Sequence, residues 1–242
     1  MQTDRIFKQH APETGAFQFD ENVAKVFDDM VARSIPLYAD VQRVIPALVQ
    51  NLDHQPLRIV DLGCSTGTSL IHLARSITDR PLELIGVDNS QAMLDKLHEK
   101  VRALEIEQSV ETTCADIESF EFENASVVLM NYTLQFLEPE KRQDLLSTIQ
   151  KRIRPGGFLV LSEKVSHGSP ETDSVLIDLY FEFKRRNGYS DLEIARKRDA
   201  LENVLLPLTV EDNQQLLASA GFDKVELLLK WFNFATFIAY RQ

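Results

Sequence analysis

Apolar residues recur at helical spacing in the first part of the chain. Within residues 21–33 they repeat every three or four positions, at Val23, Val26, Phe27 and Met30. This spacing predicts an amphipathic helix. Pro36 interrupts the pattern, and a second helical pattern covers residues 38–52. The chain is therefore expected to begin with a helical N-terminal arm, residues 1–54.

From residue 58 onward, short apolar and β-branched runs alternate with stretches of helical spacing. The predicted strands cover residues 58–62, 82–87, 108–114, 125–130 and 158–162. The predicted helices between them include 90–104, with Ser90 as N-cap, and 138–153, ended by a Pro-Gly-Gly triplet at 155–157. Such alternation predicts a parallel sheet with helices on both faces.

The alternation stops after the strand 158–162. Residues 168–207 show two helical patterns and no strand, and one of them opens with a capping box formed by Ser190 and Glu193. A helix at 209–220 and two closing strands, 224–231 and 235–241, follow. The chain thus reads as one α/β domain, residues 1–242, with a helical insertion at 168–207.

Composition agrees with a soluble globular protein. The 242 residues are 44% hydrophobic and 26% charged, and 26 Lys and Arg against 37 Asp and Glu give a net charge of −11. An acidic surface argues against direct binding of nucleic acid. Without a signal peptide or an apolar run of membrane-spanning length, we expect a cytoplasmic protein and no membrane association.

Two cysteines, Cys64 and Cys114, lie far apart in the chain and have no CxxC or histidine-rich neighbourhood. A disulfide framework or a zinc site needs more ligands at closer spacing. We therefore expect two reduced, mostly buried thiols and no bound metal.

The clearest local motif is the run VDLGCSTG at residues 60–67, between the first predicted strand and its helix. Gly63 permits a tight turn against which a ligand can approach bare backbone, and the following helix offers unpaired amides. In an open α/β sheet this crevice is the usual ligand site. The run alone also fits an ordinary structural turn.

Polar residues also stand at the carboxyl ends of three further predicted strands. Asp88 and Asn89 end the second strand, and an acid there can accept hydrogen bonds from ribose hydroxyls. Asp116, next to Ile117, can accept from an exocyclic amine while the isoleucine covers a base, and Asn131 ends the fourth strand. Each alone is more simply a loop residue or helix cap, but the series indicates one binding edge.

Three other interpretations use the same residues. The turn also fits G-x-S-x-G, the hydrolase nucleophile elbow, with Ser65 as nucleophile and His167 as the only downstream histidine. That elbow normally follows several strands, however, and here it follows the first. Asp88 would also serve a nicotinamide dinucleotide, although the glycine spacing does not fit. A protein that binds the ligand without turnover is the third possibility.

These features resemble the class I S-adenosyl-L-methionine (SAM)-dependent methyltransferases over residues 55–165 and the closing hairpin. The resemblance implies a Rossmann-like fold with a mostly parallel seven-stranded sheet and an antiparallel end. It implies that Asp61 and the turn residues Gly63, Cys64 and Ser65 hold the methionine part of SAM. Ser65 stands where this family usually has a glycine. The acid after the second strand would take the ribose, and Asp116 the adenine.

Several stretches spread over nearly the whole chain resemble one family, the carboxy-S-adenosyl-L-methionine synthases. They are residues 19–27 (FDENVAKVF), 33–38 (RSIPLY), 61–65 (DLGCS), 88–90 (DNS), 131–139 (NYTLQFLEP), 183–189 (FKRRNGY) and 197–203 (KRDALEN). The resemblance implies conversion of SAM and prephenate to carboxy-SAM and phenylpyruvate. It further implies a homodimer, whose product is used by a tRNA carboxymethyltransferase. A conventional methyltransferase acting on a small molecule is the alternative.

A basic cluster lies in the predicted insertion, with six Lys and Arg residues among positions 184–198. Charge alone favours a solvated helical face. The family resemblance instead implies that Arg198 binds the new carboxylate, a role that suits its planar, bidentate guanidinium. It also implies that Tyr38 and Asn131 contact the ligand, with Tyr38 and Arg198 in catalytic positions. Whether Arg198 serves its own subunit or a neighbour's is left open by the sequence.

Overall fold

A seven-stranded mixed sheet forms the centre of the protein, whose computed structural model describes residues 3–4, 6, 19–106, 108, 110–201 and 205–242. The strands are β1 (Leu57–Leu62), β2 (Leu82–Asp88), β3 (Val110–Cys114), β4 (Ala125–Asn131), β5 (Ile153–Lys164), β6 (Lys224–Trp231) and β7 (Phe234–Tyr240). Their spatial order is β3-β2-β1-β4-β5-β7-β6. Strands β1 to β5 are parallel, and β7 runs antiparallel to both β5 and β6. The predicted fold class is confirmed.

Eight α-helices flank this sheet within the described residues. They are α1 (Glu21–Ser34), α2 (Tyr38–Gln50), α3 (Thr68–Ser76), α4 (Gln91–Ala103), α5 (Pro139–Arg152), α6 (Pro170–Arg186), α7 (Asp191–Leu201) and α8 (Val210–Ser219). None of these helices is long and apolar enough to cross a bilayer. The first two form the arm, and α6 and α7 form the insertion.

Side chains alternate between two cores, one on each face of the sheet. Ile59 and Leu129 belong to one core, which also receives Val41 and Ile45 from α2. Val60 belongs to the other, together with residues of α5 and α8. Strand β4 is buried along its apolar length, as predicted. Burial on both faces explains why the parallel strands read as continuous apolar runs.

The N-terminal arm is tied to the sheet by polar contacts next to the glycine turn. Asp28 of α1 accepts a hydrogen bond from the Thr66 hydroxyl at 2.5 Å and pairs with Lys100 of α4 at 2.9 Å. Arg33 donates to the carbonyl of Asn187, whose side-chain amide donates back to the Arg33 carbonyl, both at 3.1 Å. The arm therefore contacts the glycine turn, helix α4 and the insertion.

Two local predictions are corrected by the structure. Strand β5 begins at Ile153 and runs through the Pro-Gly-Gly triplet rather than starting at residue 158. The Gly156 amide donates to the Arg241 carbonyl at 2.7 Å, and a side chain at Gly157 would overlap the Ser126 carbonyl, so glycine lets the chain continue as a strand. Cys114 is exposed, because β3 is an edge strand, whereas Cys64 is buried as predicted.

The helix caps and the insertion follow the predicted pattern. The Ser90 hydroxyl accepts from the Met93 amide at 3.3 Å. In the capping box at the start of α7, the Ser190 amide donates to the Glu193 carboxylate at 2.9 Å. The last of the family-like stretches, 197–203, ends in Glu202 and Asn203, which lie outside the described residues. The assignment of the whole chain to one domain remains a prediction.

Candidate functional site

A cavity of about 840 Å³ opens at the carboxyl ends of the parallel strands, beneath the arm and the insertion. All ten residues predicted to bind the ligand line this single cavity, namely Tyr38, Gly63, Cys64, Ser65, Asp88, Asn89, Asp116, Ile117, Asn131 and Arg198. They come from six separate parts of the chain. Strand β1 has β2 on one side and β4 on the other, so the strand order reverses direction at β1. The cavity lies at this switch point, where open α/β sheets usually bind their ligands.

The turn after β1 is held in a left-handed conformation. Gly63, Ser65 and Gly67 have φ angles of +80°, +52° and +73°. The amides of Gly63 and Cys64 donate to the same carbonyl, that of Val87 in β2, at 2.8 and 3.0 Å. The turn is thereby fixed to the neighbouring strand, and Ser65 adopts a φ that a glycine would adopt more easily.

Asp88 links this turn to the end of β2. Its two carboxylate oxygens accept hydrogen bonds from the amides of Ser65 and Ser90, each at 2.9 Å. Burial raises the pKa of Asp88, and the two amide hydrogen bonds oppose that rise. Because each oxygen retains a free lone pair, the carboxylate can also accept from a ligand hydroxyl.

Asp61 is the most deeply buried acid of the cavity, with only 2% of its surface exposed. Its side chain makes no hydrogen bond or ion pair with another described residue. Burial, together with the nearby Asp88 carboxylate, raises the pKa of Asp61 to about 8. Two acids that share a desolvated cavity favour a cationic ligand, because its positive charge would compensate both.

Because the pKa of Asp61 is raised, we expect the free energy of unfolding of the ligand-free protein to depend on pH. Between about pH 4 and pH 8 the folded protein retains a proton that the unfolded chain has released, so the free energy of unfolding falls as pH rises. One such group contributes a slope of about 1.4 kcal/mol per pH unit. We expect Asp61→Asn to flatten the profile by about that amount in urea denaturation at pH 5, 6, 7 and 8. Asp116→Asn, at an exposed position of the same cavity, is the control, and parallel profiles for wild type and Asp61→Asn would contradict this assignment.

The remaining predicted polar residues of the cavity differ from one another in burial and in hydrogen bonding. Asn131 is oriented by its neighbours, since its oxygen accepts from the Ser162 hydroxyl at 2.8 Å and its nitrogen donates to Ser69 at 3.4 Å. Asp116 is exposed and caps the amide of Glu118 at 2.9 Å. Ile117 is buried beside it. An acceptor next to an apolar side chain suits the edge and face of a planar base.

A row of four aromatic side chains crosses the cavity. Tyr38 lies 6.4 Å from Tyr132, Tyr132 lies 6.1 Å from Phe234, and Phe234 lies 5.3 Å from Tyr180, measured between ring centroids. Burial raises the pKa of Tyr38, whose hydroxyl hydrogen-bonds with Thr68, so the phenol stays protonated. The row forms an apolar wall that extends from the glycine turn toward helix α6.

In the basic cluster the two lysines are buried, three of the arginines are exposed, and Arg196 is half-buried. Arg198 lines the cavity, but its side chain is 62% exposed and its guanidinium contacts the adjacent Asp199 at 2.9 Å. Lys184 and Lys197 are only 5% and 8% exposed, and both line the cavity. Lys164, at the end of β5, lines it as well. The strand-end argument applied to β5 would have identified Lys164, whereas burial of the other two has no signature in sequence.

The hydrolase arrangement is not assembled in the structure. The Ser65 hydroxyl donates to the sulfur of Met93 at 3.4 Å. The ring nitrogens of His167 contact the Asp173 carboxylate at 2.8 Å and the Phe232 carbonyl at 3.2 Å, and His167 does not line the cavity. Among the residues that the structure describes, no histidine forms a hydrogen bond with Ser65. Among the described residues, no cluster of His, Cys, Asp and Glu side chains could hold a metal ion.

Known structures share this fold. A crystal structure of the SAM-dependent methyltransferase SibL in its apo form superposes with a TM-score of 0.62 at 18% identity, covering 96% of this chain and 64% of SibL. Human N-acetylserotonin methyltransferase, in complex with SAM, superposes with a TM-score of 0.61 at 14% identity, covering 91% and 55%. Residues 59–157 match the family described as a methyltransferase domain. The fold is that of the class I SAM-dependent methyltransferases.

Full-length relatives are more specific. The carboxy-S-adenosyl-L-methionine synthase of a Nitratiruptor species is 43% identical over 242 residues, covering 100% of this chain and 99% of the relative. The protein of the same name from Pasteurella multocida is 43% identical over 241 residues and covered completely. The chain belongs to the carboxy-S-adenosyl-L-methionine synthase family, and it is an enzyme of the transferase class. The predicted family is confirmed.

Proposed function

We propose that this enzyme converts SAM and prephenate to carboxy-SAM and phenylpyruvate. The observation that carries the proposal is the combination of charges in one cavity. Buried acids at the glycine turn suit the cationic sulfonium and ammonium of SAM, and basic residues from the insertion suit carboxylates. Full-length similarity to named carboxy-SAM synthases supports the same assignment.

The roles of individual residues in binding SAM follow the strand ends. Asp88 would accept from the ribose hydroxyls, and Asp116 from the adenine amine while Ile117 covers the base. Asp61 and the Gly63–Ser65 backbone would hold the methionine part. The amide of Ser65 in the turn already donates to Asp88, so the residues proposed to hold the ribose and those proposed to hold the methionine part are linked by a hydrogen bond.

The reaction balances without a further oxidant or a metal. Prephenate aromatises by losing carbon dioxide and hydroxide, which leaves phenylpyruvate. The hydroxide removes a proton from the methyl group on the sulfonium, giving water and an ylide. The ylide carbon then bonds to carbon dioxide, and the product is carboxy-SAM.

The protein's contribution is positioning and exclusion of water. The base and the electrophile both come from the second substrate, so reaction requires it to lie against the methyl group in a dry pocket. Tyr38, Tyr132 and Phe234 provide an apolar wall for that contact. Arg198 would bind the new carboxylate once it forms, because this residue lines the same cavity.

Mass spectrometry of the reaction products tests this function. Purified protein incubated with SAM and prephenate should yield a SAM derivative heavier by one carbon dioxide, together with phenylpyruvate. Omission of prephenate is the control and should give neither. A conventional methyltransferase would instead produce a methylated acceptor and S-adenosylhomocysteine, and that result without the carboxylated product would overturn the proposal. Binding of SAM without any turnover would favour a pure binding protein.

We further propose that the enzyme is a cytoplasmic homodimer whose product serves a tRNA carboxymethyltransferase. Apolar side chains on the insertion support a protein interface, since Val175, Leu179 and Leu192 are exposed in the single chain. Light scattering at the mass of one chain would argue against the dimer. The net charge of −11 supports a connection to tRNA through the small-molecule product, without direct contact with RNA.

A further inference from the structure

Three lysine side chains line the cavity beside the aromatic row. Lys184 comes from α6, Lys197 from α7 and Lys164 from the end of β5. Lys197 and Lys164 both lie close enough to Lys184 to lower its affinity for a proton. In a chain with an excess of eleven acidic residues, this concentration of positive charge inside a cavity requires an explanation.

None of the three ammonium groups forms an ion pair with a carboxylate of the described residues. The Lys197 ammonium donates to the Ser34 hydroxyl at 2.9 Å, and the Lys184 ammonium lies 4.5 Å from the centroid of the Tyr180 ring. The adjacent Arg185, by contrast, is 45% exposed and pairs with Asp191 at 2.7 Å. The chain thus pairs this exposed cation directly with a carboxylate, whereas the buried lysines form no direct ion pair among the described residues and are attracted only through space by Asp4.

A buried charge without a partner is costly, so the site is set up for an anion. Burial, with repulsion from Lys197 and Lys164, lowers the pKa of Lys184 to about 6, and attraction to Asp4 only partly opposes this. Burial also lowers the pKa of Lys197, to about 8, against attraction to Asp4 and together with repulsion from Arg33. A carboxylate bound between the two lysines would raise both pKa values, so that both amines would carry a proton.

We propose that Lys184, flanked by Lys164 and Lys197, binds the oxoacid carboxylate of the second substrate. This inference rests on the proposed function and deepens it. Tyr180, in contact with the Lys184 ammonium, is itself 5.3 Å from Phe234, so a ring that stacks along the aromatic row would place its side-chain carboxylate at Lys184. Arg198 remains available for the carboxylate that forms on SAM.

The same carboxylate persists in phenylpyruvate, which makes this stable product a direct probe. Its binding beside Lys184 should be accompanied by proton uptake at pH 7.5, because the anion raises the pKa of the lysine. The groups facing Lys184 are Tyr180 on its own helix, Lys164 of β5, Lys197 of α7 and Asp4. The tyrosine stays protonated at this pH because burial raises its pKa. Asp61 in the same cavity also has a pKa near this pH, so the part of the uptake that is lost in Lys184→Met is the part that belongs to the lysine.

Isothermal titration with phenylpyruvate in two buffers of different ionisation enthalpy tests the inference. We expect Lys184→Met to weaken phenylpyruvate binding about tenfold or more and to reduce the proton uptake. SAM binding should change by less than about twofold, which also verifies that the variant is folded. Arg185→Met, the exposed neighbour on the same helix, should bind both ligands as wild type does.

Three results would overturn the inference. They are wild-type affinity of Lys184→Met for phenylpyruvate, unchanged proton uptake in that variant, or absence of phenylpyruvate binding to the wild type. Failure of the proposed reaction has a different signature. In that case phenylpyruvate binding would still depend on Lys184 while incubation with SAM and prephenate yields no carboxy-SAM.

Discussion

Gly63→Ala should reduce SAM affinity by about a hundredfold or more and should also lower stability. The residue has a φ angle of +80°, where a side chain costs about 1–2 kcal/mol. A Cβ there would also overlap the Thr133 hydroxyl and lie 2.6 Å from its methyl carbon. Relief requires movement of the Thr133 segment, which adds about 1–3 kcal/mol. Calorimetric titration with SAM and urea denaturation measure the two effects.

Gly168→Ala provides a matched control for Gly63→Ala. Gly168 also has a positive φ, +68°, but a Cβ there would meet only Thr209, at 3.8 Å, and the residue does not line the cavity. It should therefore show the backbone strain alone, with SAM binding intact. Equal loss of SAM affinity in both variants would show that strain, rather than contact with the ligand site, causes the effect.

Arg198→Ala should weaken binding of carboxy-SAM by about ten- to a hundredfold while SAM affinity changes by less than about twofold. The two ligands differ by one carboxylate, and a charge-assisted hydrogen bond to it contributes about 1.5–3 kcal/mol. In the free enzyme the guanidinium contacts Asp199 and is 62% exposed, so its removal leaves no buried group unpaired. Competition binding with both ligands measures the difference.

Two further variants sharpen the interpretation of Arg198→Ala. Arg198→Lys retains the charge without the planar fork and should recover only part of the affinity. Arg186→Ala removes an exposed arginine of the same basic cluster, paired with Glu182 and outside the cavity, and should have no effect. If carboxy-SAM and SAM weaken equally in Arg198→Ala, the assigned role of Arg198 is wrong.

Much of the fold and of the site could be predicted because parallel sheets obey a strong geometric rule. Asp88, Asp116 and Asn131 follow strands that the sequence pattern predicts, and parallel strands bring their carboxyl ends to one edge. Local rules also held where they depend on near neighbours, as in the Ser190 capping box. These features need only chain order and short-range chemistry.

Other features depend on contacts between residues distant in sequence. Strand β5 continues through Gly156 and Gly157 because the closing strand and β4 lie alongside them, which no local pattern reveals. Cys114 is exposed because β3 is an edge strand, and its own sequence does not show its place in the sheet order.

By itself, the sequence determined the strand-and-helix order, the glycine turn and the edge of the sheet at which the candidate ligand-binding residues meet. The tertiary structure alone decided which charges of the basic cluster face water and which face the cavity. Lys184 and Arg185 are neighbours, yet only the first is buried, because the packing of α6 over the cavity orients one side of the helix inward. Burial depends on how the helices and strands pack together. It is this packing that makes Lys184 a candidate substrate-binding residue.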